Sequence, residues 1–312
     1  MRNPSISSSR TWPRFFTSWE AIVGAGLLAA TVAVIAFGPA FAPYSPTDVG
    51  IGIPNSGPSS DHLLGTDWLG RDVLSRFLSG GREVLLIPFL AATVAYVIGG
   101  FLGILGALHG GVLDGAISRS FDVMLVLPPM LLGLVILGSA GSSRLALVLL
   151  LVLVVLPRAG RVIRGSAQGS IGSDYVHAAV SRGESRIFIV GREVLPNIAL
   201  PVLSDFGVRL TYTIIFAASL SFLGFGAQPP TPDWGRMVSD SVPTVSVAPV
   251  PVLVATLGIA VAAISINLLA EGIGRLSEPS TKRKAKPPKA AIVDVTPSEA
   301  PSGLDEREEC GR

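Results

Sequence analysis

Residues 145–163 read LALVLLLVLVVLPRAGRVI, apolar without interruption as far as Pro157 and then punctuated by Arg158 and Arg161. The run approaches the roughly 20 residues needed to cross about 30 Å of hydrocarbon, so it reads as a membrane-spanning helix. Outward from it, comparable runs recur at about 21–42, 84–108, 120–140, 200–225 and 246–270. The expected fold is therefore all-α: a polytopic membrane protein with six transmembrane helices. A short Gly-Ser-Ser turn separates 120–140 from 145–163, which predicts a tight helical hairpin.

Composition agrees with this and excludes other classes. Apolar residues make up 49% of the 312-residue chain and charged residues only 15%, against about 25% charged in soluble domains. Mean hydropathy is +0.59. The only lysines are Lys282, Lys284, Lys286 and Lys289, in one C-terminal run, so no Gly-Lys-Ser/Thr phosphate loop exists and the chain is not itself a P-loop ATPase. Cys310 is the single cysteine and cannot form an internal disulfide. His62, His109 and His177 are too scattered to suggest a metal site. A net charge of +2 offers nucleic acid no basic surface.

Four regions follow. Residues 1–18 are a polar tail. Residues 19–82 hold the first span and a long Pro/Gly/Ser-rich extracytoplasmic loop. Residues 83–279 form a core of five further spans, interrupted by a cytoplasmic loop at 164–199. Residues 280–312 run from basic to acidic and read as a disordered tail, with the basic part suited to anionic lipid headgroups. Ala40-Phe41-Ala42 mimics a signal-peptide cleavage site, but the apolar run is too long and Pro43 follows, so the first span reads as uncleaved. With the N-terminus inside, the inner segments carry twelve arginines plus the basic tail. The outer segments carry Arg71, Arg76, Arg82, Arg144 and Arg236. The bias places both termini in the cytoplasm. In the second span, Gly99/Gly103 and Gly106/Gly110 are spaced for close helix packing, read as packing within the chain.

The inner loop carries the mechanism. Ser173 is placed to cap a helix over Asp174, Tyr175, Val176, His177, Ala178 and Ala179, and Gly183 suits the left-handed position that ends it. Ser185 can start a second helix through Arg192 to Val194, which Pro196 after Leu195 should break. Small Ala178 and Ala179, ringed by Arg182, Arg186 and Arg192, fit a knob for a cytoplasmic groove. A solvated amphipathic loop is the alternative.

Ala178-Ala179-x-x-x-Gly183 followed by Leu195-Pro196-Asn197 resembles the EAA loop of ABC importer permeases; His177 stands where that pattern has Glu. His62-Leu63-Leu64-Gly65-Thr66-Asp67-x-Leu69-Gly70-Arg71-Asp72 is similar to the signature after the first span of dipeptide/oligopeptide permeases. Ser219–Gly226, Gln228-Pro229-Pro230-Thr231-Pro232-x-Trp234-Gly235 and Asn267-Leu268-Leu269-x-Glu271-Gly272 resemble further signatures of that family. The N-terminal helix and long first loop resemble its second, C-type, permease subunit, over about 15–279. The resemblance implies a type I ABC importer permease in a bacterial inner membrane. Its coupling helix would be formed by Asp174, Tyr175, Ala178, Ala179, Arg182, Gly183, Arg186, Leu195 and Pro196. It also implies a second homologous permease, two cytoplasmic ATPase domains that bind ATP and Mg, and an extracytoplasmic binding protein. No cofactor or catalytic residue is expected in this chain. Dipeptides or oligopeptides are the implied cargo, with nickel or glutathione as alternatives.

Asp67, Arg71, Asp72, Gln228, Pro229 and Trp234 are the candidates for an extracytoplasmic gate or binding-protein contact. By residue type alone, Asp67, Arg71, Asp72 and Arg76 read as a structural polar network, and Gly65-Thr66-Asp67 as a turn whose Asp caps a helix near Leu69. Asp205 and Arg209, four apart, read as an ion pair near the cytoplasmic end of the fifth span. An ion-driven secondary transporter is the rival from another class; it needs midplane carboxylates that the second, third, fourth and sixth spans do not supply.

Overall fold

The computed structural model describes residues 19–141 and 143–277. The expected tails at 1–18 and 280–312 lie outside the described residues. Every regular element among the described residues is helical. The elements are α1 (Trp19–Phe41), α2 (Val73–His109), α3 (Gly111–Val126), α4 (Pro129–Ala140), α5 (Arg144–Ile171), α6 (Asp174–Ser181), α7 (Arg186–Ile189), α8 (Leu195–Phe222), α9 (Trp234–Ser241) and α10 (Val250–Ser277). Helices α1, α2, α5, the α7–α8 stretch and α10 are each long and apolar enough to span, and the bent α3–α4 pair makes a sixth crossing if taken as one.

Close packing of α2 on α5 organises one half. A Cβ on Gly99 would lie 2.8 Å from the Leu156 carbonyl oxygen, and one on Gly103 would lie 2.6 Å from that of Gly160. Backbones this near need glycine, and lipid gives helices little other reason to associate. Gly99 and Gly103 thus pack within the chain as expected; Gly106 meets Asp114 instead of α5, and Gly110 caps α2 with nothing within 4 Å of a Cβ there. The other half is built on α10. Ala21 of α1 packs on Gly272, and Glu20 pairs with Arg275 at 2.7 Å.

Three expectations are corrected. The second span begins at Val73, not at 84. Asp72 is its N-cap: Oδ2 accepts from the Ser75 amide at 2.8 Å and the Ser75 hydroxyl at 2.7 Å. At 37 residues α2 is about 55 Å long, so it stands well clear of the hydrocarbon.

The 120–140 run is not one helix but α3 and α4, bent by 81°. Pro128 and Pro129 explain it. A residue before proline is pushed out of the helical region, and Leu127 (ψ 125°) and Pro128 (ψ 122°) are both extended.

Pro196 does not break the inner-loop helix. A π turn at Val190–Val194 leads into α8, with the Leu195 amide donating to the Val190 carbonyl. Widening the ladder there accommodates a proline that cannot donate.

Candidate functional site

The inner loop folds as a helical hairpin. Ser173 occupies the N-cap position of α6, but its hydroxyl donates to the Ser170 carbonyl and does not cap. The Ser173 carbonyl instead accepts from the Val176 and His177 amides. Gly183 has φ +80°, as a left-handed stop requires. Its amide donates to Val180 at 2.9 Å and that of Glu184 to Ala179 at 3.3 Å, the Schellman pattern. Ser185 caps α7 through the Phe188 amide at 3.3 Å.

Anchoring comes from Val176, Ala179, Ile189 and Val194, all buried in the principal core cluster. Ala179 is 0% exposed, so it faces the protein body; of the two alanines only Ala178 is on the surface. What the hairpin shows outward is apolar: Tyr175, Val180, Ile187 and Phe188 are exposed, Ile187 at 86%, while Leu195, exposed at the start of α8, lines a cavity against α2 and α5. Cations surround them. Arg182 pairs with Glu184 at 2.8 Å, and Arg192 stacks over Phe188 at 5.8 Å. Arg186, Gly183 and Pro196 are also exposed. Sequence reading missed Val180, Ile187 and Phe188, whose signal was apolarity in an otherwise polar loop.

On the opposite side, residues 43–72 and 224–249 form a packed cap. Asp67 is 2% exposed. Its Oδ1 accepts from the Leu69 amide at 2.9 Å and the Arg71 amide at 3.0 Å, an Asx turn with no helix following at Leu69. Its Oδ2 accepts from Arg71 Nε at 2.7 Å and from Arg76 Nη1. Asp240 lies 3.6 Å from Arg71 and 3.7 Å from Arg76, closing the cluster. Asp72 is apart from this network, bonded to Ser75 and to His62 Nδ1 at 3.0 Å. Buried paired charges of this kind hold a loop in one shape. Their burial takes Asp67 and Asp72 out of contact with any protein seated above, and Arg71 nearly so.

Trp234 is also internal, 1% exposed. Its indole donates to the Phe77 carbonyl at 2.8 Å and stacks on the Phe77 ring at 5.0 Å. Gly81 and Gly258 leave room for it: Cβ atoms there would sit 2.6 Å from Trp234 and 2.7 Å from Phe77 respectively. Burial pushes the nearby Asp233 carboxyl up from the ordinary range, against the opposing pull of the Arg236 amide and the Ser221 hydroxyl. Of the outer candidates, Gln228 and Pro229 remain exposed. Gln228 Nε2 is tied to the Gly224 and Gly226 carbonyls at 3.1 and 3.0 Å.

Asp205 and Arg209 do pair, Nε to Oδ1 at 3.3 Å. They are the eleventh and fifteenth residues of the 28-residue α8, which the π turn extends at its N-terminal end. Among the described residues no group of three or more His, Cys, Asp or Glu is placed to hold a metal ion.

Residues 84–283 match the family described as binding-protein-dependent transport system inner membrane component, and residues 8–58 match the N-terminal transmembrane domain of oligopeptide transport permease C. The glutathione transport system permease protein of Pectobacterium atrosepticum is 34% identical over 87% of this chain and 90% of its own length. The dipeptide transport system permease protein of Alkalihalophilus pseudofirmus is 32% identical over 84% and 86%. The peptide transport system permease protein of Escherichia coli is 31% identical over 88% and 95%. A helical membrane body with no phosphate loop, carrying both matches along most of its length, belongs to the binding-protein-dependent inner membrane component family and is a C-type permease subunit of an ABC importer.

Proposed function

We propose that this chain forms half of the translocation path of a peptide importer and receives its driving force through the α6–α7 hairpin. The observation that carries the reading is the hairpin's outward face. Four largely apolar side chains, Tyr175, Val180, Ile187 and Phe188, stand exposed on an element whose other side is locked into the core. An exposed apolar cluster rimmed by arginines on a membrane protein's polar loop is what a docking partner covers. The expected partner is a cytoplasmic ATPase, two copies serving this chain and a second, homologous permease. ATP binding and hydrolysis in those subunits would bias a two-state arrangement of the spans, with the hairpin as the rigid connection.

The similarity to dipeptide, peptide and glutathione transport permeases supports a short peptide as the cargo. Glutathione, itself a tripeptide, falls within that class. An extracytoplasmic binding protein would seat on the cap, where Gln228 and Pro229 are the exposed candidates. The arginine bias supports a cytoplasmic place for both termini and the hairpin, and reporter fusions at residues 55 and 180 should fall on opposite sides of the membrane.

The decisive experiment is recovery of the tagged chain from native membranes in mild detergent, with mass spectrometry of what accompanies it. A second permease and P-loop ATPases should be present. Ile187→Asp, which alters a side chain that touches little of the permease, should lose the ATPases and keep the permease. A chain that purifies alone under conditions preserving other membrane complexes overturns the reading.

A further inference from the structure

We propose that Arg158 and Arg209 form a carboxylate-binding station on the translocation path, which the free carboxyl group of the cargo engages in passing. The inference rests on the peptide-importer reading and names the chemical feature that reading leaves open.

Position is the first observation. Arg158 is the fifteenth residue of the 28-residue α5, and Arg209 the fifteenth of the 28-residue α8. Arg158 follows the apolar stretch 145–157 and Arg209 lies between apolar turns of α8, so each belongs to a membrane helix and not to a loop. A charge on such a helix is not left against lipid; it faces a partner or a wet cavity. Both arginines line the same cavity, of about 520 Å³, where Tyr212, Thr213 and Ser219 add hydroxyl groups. Tyr212 is exposed.

Charge balance is the second. Arg158 makes one side-chain hydrogen bond, Nη1 to the Val154 carbonyl at 3.0 Å, and no ion pair among the described residues. A guanidinium has five donors. Arg209 shares Asp205 with Tyr96: one oxygen lies 3.3 Å from Arg209 Nε without a well-formed hydrogen bond, and the other accepts from the Tyr96 hydroxyl at 2.5 Å. The site thus holds two cations against one carboxylate already partly engaged. Pro129, first residue of α4 after the break, lines the cavity too, adding the positive end of that helix.

An excess of fork-shaped donors in a low-dielectric cavity selects a planar anion, and a carboxylate fits two N–H bonds at once. Every linear peptide carries one at its C-terminus whatever its side chains. A station that reads only this group accepts varied sequences. Asp205, already paired with Arg209, competes with the cargo carboxylate and so lets it leave, which a path must do.

The test uses the full complex in proteoliposomes at saturating binding protein. It compares uptake of a tripeptide free acid with its C-terminal amide, in the parental complex and in Arg158→Gln, Arg158→Lys, Arg209→Gln and Arg209→Lys. Losing a charge-assisted contact should lower free-acid uptake about tenfold in the Gln variants. The acid-to-amide ratio should fall with it, the Lys variants should recover part of the loss, and co-purification of the partner subunits should be retained. Unchanged uptake, or an unchanged ratio, overturns the proposal. So does loss of the second permease from the Gln variants, which would make the arginines an interface pair for a carboxylate of that subunit. A parental complex that assembles but takes up no peptide defeats the functional reading instead.

Discussion

Gly183 gives the sharpest test of the coupling hairpin, because a substitution there has a single physical consequence. Its φ is +80°, and a Cβ added to it would meet nothing within 4 Å. Side chains at this position therefore suffer backbone strain and no collision within the chain. An L-residue in the left-handed region costs about 1–2 kcal/mol, with Asn at the low end and a β-branched residue at the high end or beyond. The Schellman bonds from Gly183 and Glu184 to Val180 and Ala179 depend on that conformation. If ATPase docking requires the hairpin as it stands, any relaxation out of it is reversed at the expense of affinity. The weakening should reach at most about 5-fold for Ala and about 30-fold for Val. The order expected is Gly, Asn, Ala, Val. Titration of purified ATPase onto the permease pair in nanodiscs measures it, with uptake as the second readout. Size would give another order, since Asn is larger than Ala. If Ala docks better than Asn, the defect is a clash with the partner and the strain argument is wrong. If Val docks like Gly, the hairpin is not the docking element.

Three further substitutions separate packing, buried charge and pH. Gly160→Ala should lower thermal stability in detergent by about 1–3 kcal/mol, because the new methyl collides with the Phe121 ring and lies 3.1 Å from the Gly99 carbonyl oxygen; an unchanged melting temperature would mean that α2 and α5 are not held so closely. Asp67→Asn keeps an acceptor for the Leu69 and Arg71 amides but removes the anion between Arg71 and Arg76. Breaking one partner of a buried pair costs about 3–5 kcal/mol, read as faster proteolysis of the loop 43–72, and a protected loop would refute the charge argument. Asp233→Asn retains the N-cap to Arg236 while removing a carboxyl that burial holds above its unfolded pKa. Such a group favours the fold below its unfolded pKa, and that advantage is lost as pH rises through the folded one. The variant should therefore match or exceed the parent near pH 7 and lose part of the parent's gain on acidification; a variant that is less stable at neutral pH and keeps the full acid response would contradict the sign.

Hydropathy made the spans legible, since about 20 apolar residues in a row have few other uses. Details of the backbone were hidden by the same averaging. In 120–140 the apolar sum is high on both sides of Pro128 and Pro129, so the run looks whole although the two prolines turn it by 81°. The outer turns of α2 look like loop in the sequence because Arg76, Arg82 and Glu83 end the apolar run. Those charges are compatible with helix because distant residues neutralise them: Asp67 and Asp240 for Arg76, and Arg144 at 2.7 Å for Glu83. The smallness of Ala179 suits a docking contact as well as a buried one, and only the three-dimensional hairpin distinguishes a small residue facing out from one facing in.

Partners also sort the charges on the spans by purpose. Asp114 with Arg164, Asp122 with Arg161, and Glu20 and Glu271 with Arg275 are matched within the chain, and a matched pair between helices is accounted for by assembly alone. Arg158 differs: it directly follows the uninterrupted apolar stretch 145–157 and finds no carboxylate among the described residues. Keeping an unmatched guanidinium on a membrane helix is unfavourable for the isolated subunit. Under the proposal, a cavity shared with Arg209 is where a passing carboxylate meets it and supplies the compensating charge.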